Sequence, residues 1–422
     1  MGIKKLKDGF VNLLKGLGGS NDTKQQTSYQ RTARVTNIES ILEDIYVTSW
    51  VGAKVVDVPV KDAFREGRFL DIADVEKKDE LDEFYIEIDE KIELAIKYAR
   101  LFGGAALVIV SKDDAMNTPL SQMSQGDLLN IAVVDKVQLV PQSLNRNPLS
   151  RNYLRPDSYM ISNTSQIVHN TRIIYVDGVS TTNRERENNN GFGSSIFERL
   201  YYTIQDAAQT NTALRNLIEQ SNLDIVKMDG LNDAVASNAE DAVQQRIQVL
   251  SQMKSLLNTI AIDAKDDYVN ISKNFSSLDS IQMNMFMWVA AAADIPFTRF
   301  IGKSADGQNA TGEGDIRNYY DAVKSDIQIG KMKKIYSIID PIINLHLYGE
   351  FEPFKYEFNP LYQTSEKEQA DIDQVRANTH AIYLDRGVVD DNAVLKELQK
   401  EGVYTSYDPE SAPNFDTGDD NG

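Results

Sequence analysis

The stretch from Ser276 to Tyr320 constrains this chain most: an apolar-striped helix stops at Asp294-Ile295-Pro296, a second long helix begins near Asp315, and a polar loop joins them. That loop, Gly302 to Gly314, holds no apolar residue larger than Ala. Its Gly, Asn, Ser and Asp residues tolerate turns and left-handed backbone, so it is expected to stay solvated and movable. Held between rigid helices, such a loop either touches something that moves past it or closes over a ligand.

Composition narrows the choice. A chain of 422 residues buries a substantial core and suggests about two to four structural units. Its formal charge of -19, from 63 Asp and Glu against 44 Lys and Arg, argues against a protein that coats nucleic acid. The absence of Cys excludes disulfides, Cys-ligated zinc and thiolate catalysis. No apolar run is long enough to span a membrane. Residues 1–34 read as a flexible arm: Lys4, Lys5, Lys7 and Lys15 alternate with Phe10, Val11, Leu13, Leu14 and Leu17 before Gly18-Gly19-Ser20. A docking helix or membrane-surface segment is the weaker alternative. Leu6 stands where a myristoylation motif wants Ser or Thr.

Apolar periodicity predicts a helix over Asn37 to Phe64 interrupted by Pro59, and another over Lys77 to Phe102 ended by Gly103-Gly104. Short β-branched runs follow at Ala106 to Val110, Ile131 to Val140 and Ser158 to Asp177, giving an α+β domain through residue 194. Thr181 to Asn190 is expected to be disordered. Ser195 and Glu198 form a capping box that opens a helix to Asn222, about 40 Å long. A strand over Leu223 to Met228, a helix over Ala239 to Asn258 and a hairpin around Lys265-Asp266-Asp267 make a small unit inserted before the helix that Ser276 and Asp279 begin. A third long helix passes Pro341, which is expected to bend it. Two helices joined by Asp385-Arg386-Gly387 span Ser365 to Gly402, and 406–422 is an acidic, disordered tail.

Motifs that carry chemistry are few. Gly302-Lys303-Ser304 lacks the upstream Gly and strand of a P-loop, since Phe297 stands where that Gly belongs. Gly191-Phe192-Gly193 lacks the third Gly of a dinucleotide fingerprint, and Ser194 and Ser195 lack a nucleophile elbow. His169, His346 and His380 are dispersed and read as structural. The carboxylates of Asp71 to Glu93 read as a solvated helix face. Lys324, Lys331, Lys333 and Lys334 lie along one helix; they either meet phosphate or, more simply, balance nearby acids on a solvated face. On these grounds the chain is expected not to be an enzyme, with no catalytic residue, cofactor or metal.

The order of parts nevertheless resembles a known family. Gly103-Gly104-Ala105-Ala106-Leu107-Val108-Ile109, Ile167 to Ile174, Gly191 to Leu200, Ile295 to Gly302 and Asn309 to Asp315 occur in the order of the portal proteins, or head-to-tail connectors, of tailed double-stranded DNA bacteriophages. The resemblance covers roughly residues 35 to 400. It implies a helix-rich α+β fold: wing over 35–194, stem helices over 195–222 and 276–294, inserted clip over 223–275 and tunnel loop over 295–315. A long helix returns to the wing over 316–364, and small crown helices follow over 365–405. It further implies a dodecameric ring at one capsid vertex through which DNA is packaged and ejected. Implied partners are double-stranded DNA, the terminase large subunit, major capsid and scaffolding proteins, and head-completion or adaptor proteins, with no membrane. The expected location is the virion, with assembly in the host cytoplasm. DNA-facing candidates are Lys303, Ser304, Asp306, Gly307, Gln308, Asn309, Thr311, Gly312 and Glu313; clip docking candidates are Lys265, Asp266, Asp267 and Tyr268. Two other classes remain open: a capsid-associated adaptor that forms no ring, and a soluble enzyme with a mobile lid over a helical pocket.

Overall fold

The computed structural model describes residues 39–112, 115–120, 123–150, 152–219, 222–227, 245, 248–249, 267–272, 278–302, 312–362 and 366–400. Of the expected helix over 239–258 only Gln245, Gln248 and Val249 are described, all helical, and the N-terminal arm, the acidic tail and most of the polar loop lie outside the described residues. The chain divides into two units, 1–359 and 360–422.

The first unit opens with α1 (Glu39–Thr48) and α2 (Trp50–Phe64), where one helix was expected. Ser49 separates them by capping: its hydroxyl accepts from the Gly52 N–H at 3.4 Å. Pro59, expected to interrupt, sits inside α2. Proline has no N–H for the carbonyl four residues back, but the Arg100 guanidinium donates to that Val55 carbonyl at 2.9 Å. Helix α3 (Val75–Phe102) starts at Asp74, whose carboxylate accepts from Glu76 and Lys77 N–H, and ends at Gly103 with φ 90°.

Helix α3 packs on a sheet of β2 (Gly104–Ser111), β3 (Leu128–Asp135) and β7 (Ile173–Asp177) in the order β3-β2-β7. A second sheet holds β4 (Leu139–Pro141), β5 (Ser158–Ile161) and β6 (Gln166–His169) in chain order. All these pairings are antiparallel, as the turn signals imply. Tyr159, Val168, Val108, Val134 and Phe192 share one core cluster drawn from both sheets. Two motifs far apart in sequence meet here: a Cβ on Gly103 would stand 2.8 Å from the Gly193 carbonyl oxygen, and one on Gly193 would stand 2.6 Å from the Val179 carbonyl oxygen, so each close approach requires Gly.

Thr181 to Asn190, expected to be disordered, is instead ordered around α4 (Asn183–Asn188), which Thr182 caps. Tertiary contacts override its polar composition: Glu185 and Asn189 are buried, and Arg186 pairs with Asp177 at 2.7 Å. The Ser195 capping box forms as read, with Ser195 N–H donating to Glu198 Oε1 at 3.2 Å and Phe197 N–H to Ser195 Oγ at 3.1 Å. It opens α5 (Phe197–Glu219), which packs against α6 (Leu278–Ala292). Between them β8 (Asn222–Lys227) and β9 (Asp267–Ser272) pair antiparallel.

After α7 (Phe297–Ile301) the chain resumes at α8 (Glu313–Val323), which runs through a π-helical segment (Lys324–Met332) into α9 (Lys333–Tyr348). Sequence reading did not foresee the π-helix. In it the Lys333 N–H donates to Gln328 O, five residues back, and the wider turn buries Ile327, Gln328 and Met332 together. Strand β10 (Tyr356–Phe358) pairs with β1 (Arg68–Leu70). The second unit contributes α10 (Glu366–Asp385) and α11 (Asp391–Lys400), joined at Gly387, φ 63°, as expected.

A buried polar knot fastens α3 to α9. Arg68 forms two hydrogen bonds with Asp340 at 2.9 and 3.0 Å, its guanidinium lying 3.7 Å from the Tyr336 ring centre and 4.3 Å from that of Tyr85. Tyr336 donates to Asp89 at 2.6 Å. Asp89 therefore departs from the solvated face expected of the α3 carboxylates, and burial pushes its pKa up to about 6. An acid raised in the folded state loses stability as pH rises toward that value, here about 3 kcal/mol between roughly pH 4 and 6. We expect Asp89→Asn, which keeps an acceptor for Tyr336, to be about 1–3 kcal/mol more stable at pH 7. Its denaturation midpoint should vary less between pH 4 and 7 than that of the wild type.

Candidate functional site

The C-terminal end of β7, the last turn of α3, the end of α6 and the α8–π–α9 helix enclose a cleft of about 490 Å³, within the range of small-molecule sites. Its wall carries Arg100, Arg186, Arg199, Lys331 and Lys334 against Asp177, Asp294 and Asp326. A net positive recess stands out in a chain of charge -19.

Each charged group is placed by a specific device. Arg100 reaches in from α3 because one of its nitrogens replaces the donor missing at Pro59. The π-helical turn directs Lys331 inward, where its ammonium donates to the Asp177 carbonyl and to the Gly178 carbonyl at 3.1 Å. Arg186 holds one oxygen of the Asp177 carboxylate, while Arg155 stands 3.6 Å from the other. Asp294 lines the rim in left-handed backbone, φ 57°, an uncommon geometry that Asp tolerates better than most side chains.

Burial pushes the Lys331 pKa down to about 8, and the neighbouring Arg100 and Lys334 charges act in the same direction, opposed by Asp177 and Asp326. One buried polar atom of the wall, Arg100 Nε, has no hydrogen-bond partner, whereas Asp177 Oδ1 faces Arg155 and the Tyr175 side chain lies against Tyr159. Buried polar groups are ordinarily paired, so the Arg100 donor marks a place for a ligand or solvent atom. The arrangement offers cations to an anion, a carboxylate to a donor, and a lysine able to exchange a proton near neutral pH.

The described segments on either side of the polar loop share one partner. Buried Asp62 on α2 accepts from Arg299 on α7 at 2.7 and 3.1 Å and from the Tyr319 hydroxyl on α8 at 2.8 Å. Both flanks of the run 303–311 are thus tied to one carboxylate.

Of the candidates read from sequence, Lys303, Ser304, Asp306, Gly307, Gln308, Asn309 and Thr311 lie outside the described residues, as do Lys265 and Asp266. Gly312 precedes α8 with φ 59°, and Glu313 opens that helix. Asp267 and Tyr268 begin β9, opposite Lys227 and Val226. None of these described candidates lines the cleft. From the lysine group, Lys331 and Lys334 face it, whereas Lys324 and Lys333 are exposed elsewhere. Arg100, Asp177 and Arg186 escaped sequence reading because nothing local marks them. His346 is structural, its Nδ1 accepting from the Leu128 N–H at 3.2 Å. Among the described residues no helix is long and apolar enough to cross a membrane, and no group of His, Cys, Asp or Glu is gathered as a metal site.

A helix-rich α+β chain with this order of elements matches the phage portal protein family over residues 40–382, and the protein belongs to that family. It is similar over 408 residues, at 25% identity, to an uncharacterized protein of Haemophilus influenzae, covering 94% of this chain and 91% of that one. It is also 27% identical over 430 residues to the anti-CBASS protein Acb1 of Sphingomonas paeninsulae and 26% identical over 390 residues to that of a Caulobacter species. These alignments cover 97% and 88% of this chain but 68% and 62% of the two Acb1 proteins. A chain in the neck of an empty GTA particle, solved with C6 symmetry, shares the fold at a TM-score of 0.53 and 12% identity, over 88% of this chain and 95% of its own length.

Family membership agrees with the resemblance and with a particle-associated protein that has oligomeric, DNA-associated partners. Two expectations are corrected. The DNA-packaging ring, with its channel and terminase platform, is overturned by the two Acb1 relatives, which match nearly all of this chain and are named for acting against CBASS. The same relatives overturn the expectation that the chain is not an enzyme. Portal-type architecture was legible in the order of motifs, but a fold does not fix the use to which it is put.

Proposed function

We propose that this portal-family protein acts against CBASS, as its Acb1 relatives are named for doing, and that it does so as an enzyme taking a small polar molecule into the cationic cleft. The observation that carries the reading is the gathering of Arg100, Arg186, Arg199, Lys331 and Lys334 with Asp177, Asp294 and Asp326 around one 490 Å³ recess. Lys331, with its pKa near 8, supplies a proton-transfer group suited to neutral pH.

The test is plating of a CBASS-restricted phage on CBASS-carrying cells that express the full chain. At least a tenfold rise in plaques over cells with an empty vector is expected. Unchanged plating at normal protein levels contradicts the reading. A second reading, a particle-associated adaptor without a ring, is supported by the family match over 40–382. It expects the chain to co-sediment with phage particles, and its absence from purified particles would exclude that role.

A further inference from the structure

Three cations share one side of the cleft without a carboxylate bonded to any of them. Lys331 and Arg100 are spent on backbone carbonyls, Lys331 on Asp177 and Gly178 and Arg100 on Val55. An ammonium has three donors, so one Lys331 N–H is left, and Arg100 Nε is buried with no partner. Lys334 lies a turn away on α9, exposed and lining the same recess. Like charges brought together in a partly dry pocket raise each other's energy, and an anion between them removes that repulsion.

We infer that Arg100, Lys331 and Lys334 form an oxyanion-binding corner, which recognises a phosphate- or sulfate-type group on the molecule the cleft takes up. This rests on the reading of the cleft as the functional site and adds the chemical class of what enters it. The Asp177 carboxylate on the opposite side is already balanced by Arg186 at 2.7 Å and Arg155 at 3.6 Å, so it does not offset the charge of the corner.

The corner has a built-in pH dependence. Of the groups facing Lys331, Arg100 and Lys334 lower its pKa while Asp177 and Asp326 raise it, and burial leaves it at about 8. An oxyanion needs the charged lysine, so affinity falls as pH rises through that value. Sulfate is the informative probe because its own charge is constant over this range, whereas inorganic phosphate changes charge near pH 7.

The experiment is calorimetric titration of the full chain with sulfate at pH 7 and pH 9, at constant ionic strength with chloride as the balancing ion. Sulfate is expected to bind about tenfold more tightly at pH 7, as a lysine titrating near 8 requires. Lys331→Met should abolish the pH dependence. Because Lys331 also ties the helix to β7, Lys334→Met, changed at an exposed position, serves as the second variant and should weaken sulfate several-fold with the melting temperature unchanged. Absence of sulfate binding by wild type, or equal binding by folded Lys334→Met and Lys331→Met, overturns the inference. Plaque rescue without sulfate binding removes the corner and leaves the function standing; sulfate binding without rescue does the reverse.

Discussion

Replacing Asp340 by Ala is expected to destabilise the protein by about 3–5 kcal/mol, because it strands a buried guanidinium. The Arg68 and Asp340 side chains are 5% and 1% exposed, and Asp340 also accepts from the Tyr85 hydroxyl at 2.6 Å. Without the carboxylate, Arg68 keeps its tyrosine faces but loses both hydrogen bonds, and Tyr85 loses its acceptor. Since about 1 kcal/mol corresponds to roughly 2–4 °C in a domain of this size, the melting temperature should fall by about 10 °C. The double variant Arg68→Met with Asp340→Leu should recover most of the loss, since a buried ion pair and a packed apolar pair are often close in energy. A fall under about 1 kcal/mol in Asp340→Ala, measured by urea unfolding, would show the knot to be solvated.

Asp62→Ala is the second large effect, about 2–4 kcal/mol, and it should be local as well as global. Asp62 is 1% exposed, but Arg299 is 42% exposed and can turn to solvent when its partner is removed. The Tyr319 hydroxyl, from a buried residue, cannot. Burial already raises the Tyr319 pKa well above its ordinary value, with the Asp62 charge adding to the rise, so its proton stays on and must find another acceptor. Amide hydrogen exchange should accelerate in Phe297–Ile301 and Glu313–Val323, the segments flanking the run 303–311, and much less in α3. Uniform acceleration across the first unit would contradict the clamp.

These two carboxylates show what a sequence conceals. Periodicity announces α3, α5 and α6, and the Ser195–Glu198 box announces where α5 starts, because those signals are local. Asp62, Asp89 and Asp340 look like any acid on an amphipathic helix, and only the partners that tertiary structure brings up, Arg299, Tyr336 and Arg68, make them buried. Pro59 misled in the same way: the donor that rescues its helix comes from Arg100, 41 positions later in the chain. The π-helical segment left no signature either, since one widened turn changes which face Lys331 takes without changing composition. Order of motifs thus gave the fold family, while the cleft depended on contacts between segments that no spacing encodes. Function went furthest astray, because it was carried over from the fold rather than argued from a site.

The most direct test of the cleft as the seat of function compares plaque rescue by wild type and by Lys331→Met, expressed to equal levels in CBASS-carrying cells and both shown to be folded. The account predicts that Lys331→Met loses at least tenfold of the rescue, toward the empty-vector level. Full rescue by Lys331→Met would contradict it, placing the activity outside the cleft.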